Sequence, residues 1–439
     1  MLPPSFLDGR IDHRVWDDLI SKSMNSCSET VFEVNGREYR PPNKPVAVIC
    51  MDGSADEYLD EALARDLMPN VKRISVEGYR GIARGALPSF TNVNNSCIIT
   101  GVPPEVHGIQ GNFFLDPDTG EEVMMNSAKY LRAGTIMAAA ERAGRKTGVV
   151  TAKEKLRDIL SAGRQQGIAF STEKARDAKL ETHGIDNAET LVGKPTPEIY
   201  SADASLYVLE AGVKMVEKGL ADFLYLSTTD FIQHKHRPTE QEALDFYTGI
   251  DREIGNLIAA GAIVAATADH GMNSKQKPDG SPNVIFLESA LTEKFGEGFR
   301  IILPITDPYV LHHGALGSYA VVHTPAGADI GAIQAWIDGL PGITEVYDRD
   351  TAARKLQLPA DRLGELVVMS GRDVVIGRTE KDHDLSHVAS GLRSHGGRYE
   401  EMVPFLISQP LNPTYRHLAD GDVRNYDIFS FATNGVQPA

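Results

Sequence analysis

Residues 262–271 read AIVAATADHG, an apolar run that stops at Asp269 and is followed at once by His270. Two other runs stop in the same way: PVAVICMD (45–52) ends on Asp52 and FLYLSTTD (223–230) on Asp230. Short apolar runs rich in β-branched residues read as buried strands. Between 45 and 268 these runs, with KTGVV (146–150) among them, alternate with segments of helical period at 135–143, 204–218 and 239–260. That alternation predicts an α/β fold with a central, mostly parallel sheet. Right-handed crossovers then put helices on both of its faces.

The carboxyl ends of the strands in an open parallel sheet line one crevice, so the three aspartates converge there. Carboxylates gathered so closely repel one another unless they take up protons or share cations. Three histidines indicate cations. His234 lies one helical turn beyond Asp230, His270 adjoins Asp269, and SHGG (394–397) supplies His395 just before the apolar run VPFLISQ (403–409), which offers the sheet one more strand. A single strand-end aspartate is more often a helix cap than a ligand; three of them with three placed histidines are not. A mixed imidazole and carboxylate set suits Zn²⁺, with Mn²⁺ or Fe²⁺ as substitutes, better than the all-oxygen shells of Mg²⁺ or Ca²⁺. His383 and His387 are read as part of a solvated polar stretch, and His236, His312 and His313 are left out of the ligand set.

From 273 to 386 the texture changes. Strand-like runs at 300–305, 319–324, 344–348 and 366–370 flank a helical AIQAWIDGL (332–340), which predicts an inserted α+β cap. The domain expectation is an N-terminal arm (1–40), a metal-binding core (41–272 and 387–439) and the cap (273–386). The 439 residues, 42% of them hydrophobic, suffice for a large buried core. A net charge of −16 argues against nucleic-acid and anionic-membrane partners, since both attract clustered Lys and Arg. MLPPSFLDGR (1–10) does not read as a secretory signal, and Cys27, Cys50 and Cys97 show no CxxC spacing. The expected location is cytoplasmic.

In GALPSFTNVNNSCIITGVPPEVHGI (85–109) a helix is expected to start near Thr91. By spacing alone Thr91 reads as an N-cap. Lys153 and Lys155 in TAKEKLR (151–157) follow an apolar run; if that segment is extended, both face the same way. Otherwise they are solvated lysines opening a helix.

The ordered motifs MDGS, LPSFTNVNN, TGVPPEVHGI, TTDFIQHKH, TADHGMN and SHGG resemble the alkaline phosphatase superfamily, in its nucleotide pyrophosphatase and phosphodiesterase-like branch. The resemblance spans about 45 to 409. It implies an alkaline phosphatase-like fold and two metal ions, usually zinc. One is held by Asp230, His234 and His395, the other by Asp52, Thr91, Asp269 and His270. It also makes Thr91 the nucleophile. Asn112 in GIQGNFF (108–114), with Lys153 and Lys155, resembles the phosphonoacetate hydrolase family. That likeness implies zinc-dependent cleavage of a carbon–phosphorus bond through a phosphothreonine. Asn112 would assist Thr91 in holding phosphonate oxygens, and the two lysines would contact the substrate carboxylate. The partner implied is a small anionic phosphonate, and a homodimer is compatible with this reading. The alternatives are a phosphodiesterase or phosphomonoesterase on the same scaffold, and a non-catalytic, metal-stabilised phosphate-binding protein.

Overall fold

The computed structural model describes residues 31–308, 310–389 and 391–436. Residues 1–30 of the expected arm lie outside the described residues. Residues 31–40 form a hairpin, Phe32–Val34 with Arg37–Tyr39, whose Phe32, Val34 and Tyr39 are buried against the core.

Seven strands build the central sheet: β1 (Val46–Cys50), β2 (Tyr79–Arg84), β3 (Thr147–Thr151), β4 (Ile168–Ser171), β5 (Phe223–Ser227), β6 (Ile263–Thr267) and β7 (Met402–Ile407). Their order is β2-β7-β6-β1-β5-β3-β4. β7, the strand read at 403–409, is antiparallel to both neighbours, while the pairs from β6 to β4 are parallel. Side chains alternate between faces along each strand. Ala47 and Ile49 therefore join one core with Leu224, Leu226, Val264 and Ala266, whereas Val46, Val48 and Cys50 join another with Phe223, Tyr225 and Ala265.

Helices cover both cores, as expected. Gln241–Ala259 packs Leu244, Tyr247, Ile250, Ile254 and Leu257, a stripe at three- and four-residue spacing, onto the first. Ile136–Arg142 covers the second, and its start is set by Thr135, whose Oγ1 accepts from Ala138 N (3.2 Å).

The chain leaves and re-enters this body through the antiparallel pair Asn273–Ser274 and Arg393–Ser394. Between them lies a four-stranded antiparallel sheet ordered Arg300–Ile302, Tyr319–His323, Leu366–Ser370, Ile343–Asp348. One face, with Ile301, Ala320, Val322 and Val368, buries helices Leu287–Phe295 and Ile330–Asp338. The other, with Ile302, Tyr319, Val321 and Met369, packs against Phe90, Val93 and Cys97 beside the carboxyl edge of the main sheet. No helix among the described residues is long and apolar enough to cross a membrane.

Candidate metal centre

β6, β1, β5 and β3 are consecutive in the sheet, so the residues just beyond their carboxyl ends stand in a row: Asp269, Asp52, Asp230 and Lys153. Close approach at this rim demands glycine at position 53. Its φ is +71°, and a Cβ there would lie 2.7 Å from Asp230 Cβ.

The capping explanations for these residues fail. Asp230 does occupy the N-cap of the Phe231–Lys235 helix, yet its side chain makes no capping hydrogen bond. Its Oδ1 accepts from Lys153 Nζ (3.1 Å), and its Oδ2 is 2.9 Å from His234 Nε2 and 3.8 Å from His395 Nε2. Both oxygens of Asp52, 1% exposed, lack a hydrogen-bond partner among the described residues. Phe90, not Thr91, is the N-cap of the Thr91–Thr100 helix, and Thr91 Oγ1 turns to within 3.4 Å of His270 Nε2.

Each histidine is oriented alike. Nδ1 of His234, His270 and His395 donates to the carbonyl of Arg393 (2.8 Å), Gly271 (2.9 Å) and Ser89 (2.8 Å) respectively. That leaves Nε2 lone pairs facing the carboxylates, the arrangement of metal-bound histidines. Three sets of donor atoms gather closely: Asp52, Asp269 and His270; Asp230, His270 and His395; and Asp230, His234 and His312. Buried carboxylate oxygens without partners beside bare imidazole nitrogens fit divalent cations in donor type and charge.

Charge in the protein alone is correspondingly strained. Burial first, then the charges of Asp230 and Asp269, pushes the Asp52 carboxyl well above the usual range. Burial likewise moves Asp269 up to about 6. At Asp230 burial is outweighed, first by Lys153 and then by His234, and its carboxyl sits well below the ordinary value. Burial, then Lys153, pushes Lys155 down to about 7 against the raising charges of Asp230, Glu173 and Asp52; its ammonium also ion-pairs with Asp307.

One pocket joins Thr91, Asn112, Lys153, Lys155, Asp230, His234 and His395. Lys153 and Lys155 occupy the N-cap and first turn of the Glu154–Leu160 helix, and both still reach the pocket. Asp307, His312 and His313 complete its wall from the cap. The two histidines left out of the ligand set line the pocket from a loop whose approach no local pattern signals, and only His312 has a donor atom near Asp230 and His234. His383 corrects the solvated reading of its stretch. It is buried, its Nδ1 donates to Gly314 O (2.8 Å) and its Nε2 accepts from Arg378 N (2.9 Å), which makes it structural. Asn95 was also missed. Its Nδ2 donates to Asp269 Oδ2 (3.1 Å) while its Oδ1 accepts from Tyr225 and Ser227, so it orients a carboxylate from beneath.

The sequence profile of the type I phosphodiesterase / nucleotide pyrophosphatase family matches residues 46–398. Crystal structures of phosphonoacetate hydrolase from Sinorhizobium meliloti 1021, in complex with phosphonoformate and with phosphonoacetate, superpose with a TM-score of 0.87 at 45% identity. The match covers 92% of this chain and 99% of that one. Murine ectonucleotide pyrophosphatase / phosphodiesterase 5 shares the fold, with a TM-score of 0.58 at 16% identity over 90% of this chain and 97% of its own. Venom phosphodiesterase from Naja atra is 26% identical over 276 residues, 59% of this chain but only 28% of that protein. The chain belongs to the type I phosphodiesterase / nucleotide pyrophosphatase family, and it carries the architecture of the phosphonoacetate hydrolase it resembles.

Proposed function

We propose that this protein is a hydrolase that cleaves the carbon–phosphorus bond of phosphonoacetate to acetate and phosphate. The observation that carries this reading is the meeting of Thr91, Asn112, Lys153 and Lys155 in one pocket beside Asp230, His234 and His395. Its support from outside the chain is the 45% identity to a hydrolase crystallised with phosphonoacetate.

Two zinc ions are the cofactors of this proposal, with Mn²⁺ or Fe²⁺ as substitutes. Asp230, His234 and His395 would hold one, and Asp52, Thr91, Asp269 and His270 the other. Bound there, divalent cations acidify a coordinated hydroxyl and neutralise phosphonate oxygens. The chain's own residues supply the rest. Thr91 Oγ1, having given its proton to solvent, attacks phosphorus in line, an O–P bond forms, and the P–C bond breaks with its electron pair passing to carbon. Asn112 has its Oδ1 engaged by Asn92 N–H (3.0 Å), so its Nδ2 is the end directed to a phosphonate oxygen.

A carbanion is a poor leaving group unless its charge spreads into the adjacent carboxylate. Lys153, kept cationic beside Asp230 and Asp52, meets that developing enolate with positive charge, and Lys155 adds a second hydrogen-bond donor at the same wall. Protonation by solvent yields acetate, and water then cleaves the phosphothreonine to release phosphate and regenerate the Thr91 hydroxyl.

Phosphate release measured on phosphonoacetate, 2-aminoethylphosphonate and a nitrophenyl phosphate ester, with and without chelator, tests the proposal. The expected result is chelator-sensitive turnover that favours phosphonoacetate. Preference for the ester would identify an esterase, and zinc-loaded protein that releases no phosphate from any of the three would identify a binding protein.

A further inference from the structure

We infer that His312, delivered by the cap, is a further ligand of the metal held at Asp230 and His234, one that the substrate displaces. The inference rests on the metal-centre reading above and extends it to a residue outside the motif set.

Three contacts support it. Donor atoms of Asp230, His234 and His312 lie within 4.8 Å of one another. The rings of His234 and His312 are 4.5 Å apart between centroids, and His234 already points Nε2 at Asp230 Oδ2 (2.9 Å). His312 is also braced: Tyr200 and Phe231 meet it edge-on at 5.9 and 6.0 Å, and His313 at 5.3 Å. An imidazole held by three rings and aimed at a carboxylate–imidazole pair presents a nitrogen lone pair where a cation is needed.

The donor count gives the consequence. His395, whose donor atom clusters with Asp230 and His270, has its Nε2 3.8 Å from Asp230 Oδ2, so in the proposed centre it would bring the set to three imidazoles and one carboxylate. Four protein donors close a tetrahedral zinc shell, whereas catalysis needs an open position. His312 is the donor that can leave, because it sits on the cap loop while Asp230 and His234 sit at the core sheet's edge and His395 directly follows the strand pair joining core and cap. Phosphonate binding therefore exchanges His312 for a substrate oxygen, which ties release of the cap loop to occupancy of the site.

The test compares holoenzyme with the His312→Ala and His312→Phe variants; phenylalanine preserves the ring packing without a donor. Zinc affinity is measured by competition with a chromophoric chelator, and the cobalt-substituted proteins are compared by visible absorption. Both variants are expected to bind one of the two ions at least about 10-fold more weakly and to alter the cobalt spectrum. Saturating phosphonoformate should erase the difference from wild type. Unchanged zinc affinity and cobalt spectrum in the well-folded His312→Phe protein overturn the inference, even if KM rises. Wild-type protein that binds no zinc overturns the metal-centre reading itself.

Discussion

The imidazoles of His270 and His395 lie face to face, with ring centroids 3.5 Å apart and planes 7° from parallel. They come from opposite ends of the cap insertion, and one residue straps the two ends together. Glu400 O accepts from Gly271 N (2.7 Å), its Oε1 from Asn273 Nδ2 (2.7 Å) and Lys275 Nζ (2.8 Å), and its Oε2 from Gly397 N (3.1 Å). The Nε2 atoms that face the carboxylates on either side of the junction are thus registered by a buried carboxylate.

That strap sets the first prediction. Lys275 and Glu400 side chains are fully buried, so removing one partner strands the other's charge. Lys275→Met should lower unfolding free energy by about 3–5 kcal/mol, read from urea denaturation. The double variant Lys275→Met/Glu400→Leu should recover part of that loss. A single variant as stable as wild type would show that the pair contributes little.

Thr91→Ala should lower kcat for phosphonoacetate by at least about 10³-fold while zinc content stays near that of wild type. Asp52, Asp269 and His270 already cluster their donor atoms without Thr91, whose Oγ1 lies 3.4 Å from His270 Nε2, so the proposed metal would keep its other anchors. Acid quenching of wild type during turnover, followed by mass spectrometry, should reveal phosphate on Thr91; substantial activity in the alanine variant removes the covalent step.

Lys155 separates the two enzymatic readings better than Lys153, because Lys153 also pairs with Asp230 and Asp52 (3.1 and 3.8 Å). Lys155→Met should reduce kcat/KM for phosphonoacetate by about 10²–10³-fold and leave a nitrophenyl phosphate ester nearly unaffected. Equal losses on both substrates would mean that Lys155 does not recognise the carboxylate.

His107 lies away from the metal centre and gives the pH prediction. Its Nδ1 accepts from Ile109 N (3.1 Å), its Nε2 is 3.1 Å from Cys97 Sγ, and burial pushes its pKa from 6.5 down to about 3. Between those values the unfolded chain holds a proton that the folded chain does not. Stability should therefore fall as pH drops from 6.5 toward 3, by about 1.4 kcal/mol per unit from this group. His107→Asn keeps an acceptor for Ile109 N and should flatten that slope in urea titrations by close to one proton; an unchanged slope assigns the acid sensitivity elsewhere.

Much of this was legible locally. Asp52, Asp230 and Asp269 each end a run whose strand character follows from its residues, and the parallel-sheet rule then brings strand ends to one rim. Histidines adjacent to those ends inherit their position from the backbone. The cap groups were not legible in this way. Asp307, His312 and His313 have no distinctive spacing, and they reach the pocket only because the cap's second face packs on Phe90, Val93 and Cys97. Asn95 was hidden for a similar reason, since nothing in its own helix indicates that its amide reaches Asp269.

By itself, the order of residues determined the α/β plan, the three converging carboxylates and the histidines beside them, because strand periodicity and strand-end chemistry are properties of short segments. Tertiary structure decided which face of the cap covers the pocket, which nitrogen of each histidine is bare, and that Thr91 turns its hydroxyl to His270 instead of capping its helix. Those outcomes depend on carbonyls, rings and carboxylates supplied by segments far away in the chain, and only packing brings them together.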